Sequence, residues 1–297
     1  MSVAAIDIGS NSVRLLVLGD AGNQIARHTR VTALGKGVDA TGWFRDDTME
    51  ATLDVMRSYA DAIEQHGVSR VRAVATSASR DAENGAELMN AIGAILGVSP
   101  EIIGGQEEAA LAFAGATANT DREPPFLVID IGGGSTEFVY GVTEPIYAAS
   151  IDIGSVRLND RKLPDRPPSG GQLSDAAAHA DAEFSTVELP GTPRTVIGVA
   201  GTFSSLAAIK LGLQVYDRDA VHGKELTRGE IKELISELSV LTVAETAAIP
   251  SLDPKRAPVM LAGAVLADRA CVAVGNDSIV VSEYGLLNAL ARDLLST

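Results

Sequence analysis

Short apolar segments alternate with amphipathic helical patterns along most of the chain. Residues 3–8 and 13–18 are rich in Val, Ile and Leu and flank a Gly-Ser-Asn turn, so they predict the two strands of a hairpin. Between residues 46 and 66, apolar side chains recur at the spacing of one helix face, and Gly67 predicts the end of that helix. Strands and helices continue in alternation, which predicts an α/β fold.

The second half of the chain repeats this plan. Residues 126–140 predict another hairpin, and residues 195–199 predict a strand that runs into a third glycine turn at Gly201 and Thr202. Residues 254–274 predict a helix that is broken near one of two glycines.

One short phrase occurs at the hairpin turn of both halves. The first copy is Ile6-Asp7-Ile8-Gly9-Ser10-Asn11-Ser12, and the second is Ile129-Asp130-Ile131-Gly132-Gly133-Gly134-Ser135-Thr136. We call residues 9–12 the first glycine loop and residues 132–136 the second glycine loop. Because glycine has no Cβ, successive N–H groups of such a turn can converge on an anion, typically a phosphate. The hydroxyl groups of the two loops add further donors.

Asp7 and Asp130 end the strands that lead into the two loops. A carboxylate in this position would repel a phosphate unless a hard cation such as Mg²⁺ lies between them. A single copy would equally fit an ordinary hairpin with a capping Asp. Two matching copies favour duplicated domains that face each other.

The repeat therefore predicts two domains on either side of a cleft. The polar, proline-bearing segment 118–125 is the predicted hinge. We assign residues 1–117 and 286–297 to the first domain, and residues 118–285 to the second. A ligand site is expected in the cleft, where the helix after Thr202 would present its N-terminus to an anion.

Composition limits the classes of partner. The net charge of −15 argues against a nucleic-acid-binding surface and against anionic membranes. A polyanionic ligand remains compatible with this charge if metal ions and backbone amides make the contacts. The single cysteine, Cys271, excludes an intrachain disulfide, which fits a reducing cytoplasm. The start of the chain does not resemble a signal peptide, and the apolar stretch near residues 258–274 contains Asp268 and Arg269, so no transmembrane segment is predicted.

The acidic candidates for chemistry lie next to glycine turns. Glu137 follows the second glycine loop and could face the same metal ion as Asp130. Glu107 and Glu108 begin a helix, where they either interact with the helix dipole or take part in catalysis.

The basic candidates are Arg14, just after the first glycine loop, and Arg80, in a Ser/Ala loop after a strand. Either could bind phosphate oxygens through its planar guanidinium, or form a surface ion pair. Of the four histidines only His222, between Val221 and Gly223, lies in a context that suggests a role, and that role stays open.

Seven motifs occur in order along the chain: AIDIGSNSVRL at 5–15, ATSASR at 75–80, GQEEA at 105–109, VIDIGGGSTE at 128–137, AGT at 200–202, VHG at 221–223 and VSEYG at 281–285. Taken together, these motifs resemble the exopolyphosphatase / guanosine pentaphosphate phosphatase family. The resemblance implies two ribonuclease-H-like domains of the actin-like, sugar-kinase-like superfold, with an interdomain cleft. It also implies removal of the terminal phosphate of inorganic polyphosphate or of the 5′ γ-phosphate of guanosine pentaphosphate.

The resemblance further implies roles for individual residues. Glu108 matches the general base of the family, and Asp7, Asp130 and Glu137 would position Mg²⁺. The phosphates would be held by the two glycine loops, the third turn and two arginines: Gly9, Ser10, Asn11, Ser12, Arg14, Arg80, Gly132, Gly133, Gly134, Ser135, Thr136, Gly201 and Thr202. A homodimer is also implied by family relationship.

Several questions stay open at this point. Longer family members carry extra helical domains after the region that matches this chain, so chain-length preference and the choice between the two substrates are undetermined. A catalytically weak sensor that binds alarmone or polyphosphate is one alternative. An actin-like ATPase or sugar kinase is another, although those enzymes need an adenine pocket and often use an Asp as base.

Overall fold

The structure is a computed structural model, and it describes residues 2–118 and 120–296. Its strands are β1 (Ser2–Ile8), β2 (Ser12–Leu18), β3 (Gln24–Val31), β4 (Val68–Ala75), β5 (Glu101–Ile102), β6 (Phe126–Ile131), β7 (Thr136–Gly141), β8 (Pro145–Ile151), β9 (Thr195–Val199), β10 (Glu225–Thr227) and β11 (Ser278–Val281). Its helices are α1 (Val38–Thr41), α2 (Asp46–Gln65), α3 (Ser77–Asp81), α4 (Gly85–Leu96), α5 (Gly105–Thr117), α6 (Ser155–Lys162), α7 (Gly170–Phe184), α8 (Ala200–Lys210), α9 (Arg218–Val221), α10 (Arg228–Ser239), α11 (Val243–Ala247), α12 (Met260–Val274) and α13 (Leu286–Ser296), with a 3₁₀ helix at Pro254–Val259.

The strands form two sheets of related topology. The first has the order β3-β2-β1-β4-β5, and the second has the order β10-β11-β9-β6-β7-β8. In each sheet a three-stranded antiparallel meander is followed by parallel strands, with β10 added at the edge of the second. The predicted fold class, two ribonuclease-H-like domains of the actin-like type, is confirmed by this duplicated order.

Helices cover both faces of the first sheet, which explains why β1 and β2 are apolar at nearly every position. Side chains of α2 and α4 pack on one face, against a cluster that includes Ile6, Ile8 and Leu15. On the other face, the apolar side of α13 packs against Val3, Ala5 and Leu16.

Helices α5 and α13 lie side by side between the two sheets. The apolar side of α5, with Phe113 at its centre, packs against Val128 and Ile197 of the second sheet. The two helices approach so closely that a Cβ at Gly115 would overlap the carbonyl oxygen of Gly285. This packing holds α5, whose first turn carries Glu108, between the two sheets. The domain limits given above stay a prediction; residues 1, 119 and 297 lie outside the described residues.

The helix predicted over 254–274, with a break near Gly263 or Gly275, is a 3₁₀ turn at Pro254–Val259 followed by α12, and Gly275, with a positive φ of 64°, caps the end of α12. Gly263 does not break the helix; a Cβ there would come within 2.8 Å of Thr202 Cγ2, so the glycine permits a close approach between α12 and α8. In the described part of the chain, the segment Pro254–Val274 is long and apolar enough to cross a membrane, but 67% of its most apolar stretch is buried inside the protein. That degree of burial is typical of a core helix.

Candidate active site

A cavity of about 470 Å³ lies between the two halves of the molecule. The predicted site residues that line it are Asp7, Gly9, Ser10, Asn11, Ser12, Arg14, Glu108, Asp130, Gly132, Gly133, Gly134, Ser135, Gly201 and Thr202. Arg80, Thr136 and Glu137 lie behind this lining. The hydroxyl of Thr136 donates to the carbonyl oxygen of Ile153 at 2.6 Å, inside the second half.

The two glycine loops meet each other in the cleft. A Cβ at Gly133 would come within 2.8 Å of the Ser10 Cβ, and a Cβ at Gly134 would overlap the hydroxyl of Ser77 at the start of α3. Each loop is closed by the same backbone hydrogen bond, from Gly9 N to Ser12 O at 3.1 Å and from Gly132 N to Ser135 O at 3.0 Å. Glycine is therefore required where one loop faces the other.

The strand registers place equivalent charged pairs beside the two loops. Asp7 lies opposite Arg14 in the first hairpin, and Asp130 lies opposite Glu137 in the second. In the first pair, Arg14 Nη1 is 3.6 Å from Asp7 Oδ2. The second pair has a carboxylate where the first has a guanidinium. The second hairpin therefore carries one buried acid, Glu137, beside a partly buried one, Asp130, and lacks the internal counter-ion that the first hairpin has.

The surroundings of the second pair favour a bound cation or a proton. Burial raises the pKa of Asp130 to about 6; the charge of Arg14 opposes this rise, and that of Asp7 adds to it. The pKa of Glu137 is raised by burial and then by the charges of Glu108 and Asp130. Its Oε1 accepts a hydrogen bond from Ser150 at 2.8 Å, whereas its buried Oε2 has no partner among the described residues.

These two carboxylates fit the chemistry of Mg²⁺. The described residues contain no group of three or more His, Cys, Asp or Glu side chains arranged as a complete metal cage. Mg²⁺ does not need one, because it usually binds through one or two carboxylates together with waters and substrate phosphates. The unpartnered oxygen of Glu137 and the raised pKa of Asp130 are what such a site would show without its cation.

Glu108 lies in the first turn of α5 and is 9% exposed. Its Oε2 accepts a hydrogen bond from Arg80 Nη1 at 2.9 Å, and the same nitrogen donates to the carbonyl oxygen of Ile103 at 2.8 Å. Burial raises the pKa of Glu108 to about 7; the hydrogen bond and charge of Arg80 oppose this rise, and Asp130 and Asp7 add to it. A carboxylate with a pKa near neutrality suits general-base catalysis. The neighbouring Glu107 instead forms an ion pair with Arg72 at the surface, at 3.2 Å.

The third turn brings an arginine that sequence reasoning missed. A Cβ at Gly201 would overlap the guanidinium of Arg256, whose Nη2 donates to Ser12 Oγ at 3.2 Å. Burial lowers the pKa of Arg256 to about 10, and the charge of Arg14 contributes, so the group stays cationic at neutral pH. Ala200, just before this glycine, has a positive φ of 70°, a strained conformation for a residue with a side chain.

His222 does not line the cavity. Its ring makes an edge-to-face contact with Tyr284, with 4.9 Å between ring centroids, and its Nδ1 accepts a hydrogen bond from the backbone N of Glu283 at 3.4 Å. The histidine therefore supports the segment that borders the cavity.

Comparison with known proteins connects this site to a family. Residues 18–296 match the model of the Ppx/GppA phosphatase family. The chain is 37% identical over 314 aligned residues to Exopolyphosphatase 2 of Mycobacterium tuberculosis, with 98% of each protein covered. A solved exopolyphosphatase-like protein superposes with a TM-score of 0.92 at 38% identity, covering 99% of this chain and 97% of that one. The Ppx/GppA family member of Aquifex aeolicus superposes with a TM-score of 0.81 at 32% identity, covering 100% and 98%.

Proposed function

This chain belongs to the Ppx/GppA phosphatase family, and we propose that it is an exopolyphosphatase that removes the terminal phosphate of inorganic polyphosphate. The observation that carries the proposal is Glu108, a buried carboxylate with a pKa near 7 that faces a cavity bordered by two glycine loops. The relatives named above support the choice of substrate.

In the proposed reaction, Glu108 accepts a proton from a water molecule whose oxygen attacks the terminal phosphorus. The bond between that phosphorus and the bridging oxygen breaks, and the products are inorganic phosphate and a chain shorter by one phosphate. Arg80 would hold the carboxylate of Glu108 in position through its hydrogen bond.

The remaining residues would bind the substrate. The backbone amides of the two glycine loops and the hydroxyls of Ser10, Ser12 and Ser135 would hold phosphoryl oxygens, with Arg14 and Arg256 balancing their charge. Asp130 and Glu137 would hold Mg²⁺, with Asp7 nearby. When bound, the ion spreads the charge that develops on the phosphoryl oxygens.

The test is phosphate release from long-chain polyphosphate, tripolyphosphate, guanosine pentaphosphate and ATP, each with Mg²⁺ and with EDTA. We expect the highest kcat/KM with polyphosphate and no release with EDTA. Faster hydrolysis of ATP would favour an actin-like ATPase, and tight binding of polyphosphate without release would favour a sensor.

Guanosine pentaphosphate is the second candidate substrate. The cavity extends past the glycine loops to Tyr216 and Glu283, which would offer an aromatic face and a carboxylate acceptor to a guanine base. A kcat/KM for this nucleotide above that for polyphosphate would reverse the order of the two candidates. A cytoplasmic location and a homodimer complete the proposal; the buried thiol of Cys271 is consistent with the former.

A further inference from the structure

The cavity does not end at the glycine loops. It continues along the first sheet to a region that both halves of the chain build, with side chains from β3, from the segment around α9 and from the segment before α13. The lining residues of this region are Gln24, Arg27, Tyr216, Arg218, Glu283 and Tyr284. We call Arg27 and Arg218 the distal arginine pair. Neither residue has a role in the reaction described above.

The first arginine extends the line of charge that begins at Arg14. Thr29 lies opposite Arg14, and Arg27 is two residues away on the same face of β3, about 7 Å further along the sheet. The guanidinium of Arg27 donates to the carbonyl oxygen of Glu283 at 3.1 Å and to Asn288 Oδ1 at 3.3 Å. These contacts hold it at the cavity wall.

The second arginine comes from the other half of the molecule and is incompletely satisfied. The guanidinium of Arg218 lies over the ring of Tyr284, 4.5 Å from the centroid. Its closest polar contacts are long, at 3.5 Å from Nη1 to Gln24 Oε1 and 3.5 Å from Nε to Glu283 Oε2. Its Nε and Nη2 are buried and have no hydrogen-bond partner among the described residues. Buried donors without acceptors are costly, so the arrangement suits an added anion.

The local charge balance leads to the same conclusion. Glu283 is the carboxylate that faces both arginines, and it is shared with the Tyr216 hydroxyl, which donates to Glu283 Oε1 at 2.5 Å. Burial and the positive charge of Arg218 lower the pKa of Arg27 to about 10, so the two guanidinium groups repel each other. An anion placed between them would relieve that repulsion.

We propose that the distal arginine pair is a second anion subsite, which binds a phosphoryl group of the substrate remote from the bond that is cleaved. The inference rests on the proposed function, in which the glycine loops hold the terminal phosphates. An inner phosphate of a polyphosphate chain and the 3′-diphosphate of guanosine pentaphosphate present the same chemistry. A substrate too short to reach from the loops to the pair would not use the subsite.

The experiment compares R27Q, R218Q and R218K with the wild type and with R122Q, a control at an exposed arginine outside the cavity lining. KM and kcat are measured with tripolyphosphate, long-chain polyphosphate and guanosine pentaphosphate, and thermal unfolding confirms that each variant is folded. We expect KM for a long substrate to rise about tenfold in R27Q and in R218Q, which corresponds to about 1.4 kcal/mol. Because only binding remote from the cleaved bond is lost, kcat should stay within about twofold of wild type. The KM for tripolyphosphate should also stay within about twofold, because this short substrate does not reach the subsite. R218K keeps the charge but lacks the planar guanidinium, so its KM for the long substrate should lie between those of wild type and R218Q.

A rise in KM that is confined to long-chain polyphosphate assigns the subsite to inner phosphates. A rise in KM that is confined to guanosine pentaphosphate assigns it to the 3′-diphosphate. Equal changes for short and long substrates, or no change for any, would overturn the subsite while leaving the proposed function intact. If the wild type hydrolyses none of the substrates, the proposed function fails. Calorimetric titration of long-chain polyphosphate into wild type and R218Q then decides the subsite, because equal affinities would overturn it.

Discussion

The Arg80→Met variant tests how the protein sets the basicity of Glu108. Arg80 donates to the Glu108 carboxylate at 2.9 Å, and its hydrogen bond and charge oppose the effect of burial, which leaves the pKa at about 7. A nearby opposite charge lowers a carboxyl pKa by about 1–3 units, so its removal should raise the pKa of Glu108 to about 8 or more. The ionised fraction at pH 7 then falls from about a half to about a tenth or less.

The assay is the pH dependence of kcat/KM for polyphosphate. In Arg80→Met, we expect the acidic limb to move to higher pH by about one unit or more, with about a fivefold or larger loss at pH 7 that is recovered in alkaline buffer. Arg72→Met is the matched control, because Arg72 pairs with Glu101 and Glu107 at the surface. A uniform loss at every pH, with the limb unmoved, would refute this account and assign Arg80 to substrate binding.

Two further predictions concern stability. Gly115→Ala inserts a methyl group where α5 meets the Gly285 carbonyl and should lower the free energy of unfolding by about 1–3 kcal/mol. Gly170→Ala is the control, because a Cβ at Gly170 meets no atom within 4 Å and should leave that free energy unchanged. Equal unfolding temperatures for the two variants would contradict the packing. Burial raises the pKa of Asp7, Glu108, Asp130 and Glu137, so the stability that these groups contribute is present below their ordinary pKa values and is lost as each group ionises at higher pH. For Asp130 and Glu108 this loss falls at about pH 6 and about pH 7. Urea unfolding without metal should give a lower free energy of unfolding at about pH 7.5 than at about pH 5.5, and the difference should be smaller in Glu108→Gln. Mg²⁺ should stabilise the protein mainly at the higher pH. An unchanged fall in Glu108→Gln, or an equal Mg²⁺ effect at both pH values, would contradict the assignment.

The hairpins and the long helix α2 could be predicted because their signals are local. Continuous apolar runs on either side of a glycine turn specify β1 with β2 and β6 with β7, and helical spacing specifies α2 almost to the residue. Short elements such as β10, with three residues, and α9, with four, carry too little periodic pattern to be recognised. Their positions depend on tertiary pairing, as when β10 joins the edge of β11.

The candidate site shows the same division. The repeated glycine phrase predicts both loops, because the backbone geometry of each loop is determined by consecutive residues. Arg256, Arg218 and Arg27 have no neighbouring motif, and only the folded chain brings them to the cavity. The sequence predicts that Arg80 binds phosphate. In the structure its guanidinium donates to the Ile103 carbonyl and to Glu108, and these partners could not be predicted because they lie in distant parts of the sequence.

The sequence Ile-Asp-Ile-Gly also occurs a third time, at residues 151–154, but this copy does not form a glycine loop. It has no cluster of small residues after the glycine, and Gly154 instead packs against Gly133 of the second glycine loop. The following Ser155 donates its backbone N–H to the Gly132 carbonyl at 2.9 Å. This copy supports a loop and does not form one of its own.

The general-base assignment of Glu108 is tested most directly by single-turnover phosphate release from polyphosphate, with Mg²⁺, in Glu108→Gln and Glu107→Gln. The two substitutions are chemically identical and one residue apart, but Glu108 is buried at the cavity and Glu107 is paired at the surface. We predict a rate about 10²- to 10⁴-fold below wild type for Glu108→Gln. The rate for Glu107→Gln should stay within about twofold of wild type. Hydrolysis by Glu108→Gln at the wild-type rate would contradict the proposed mechanism.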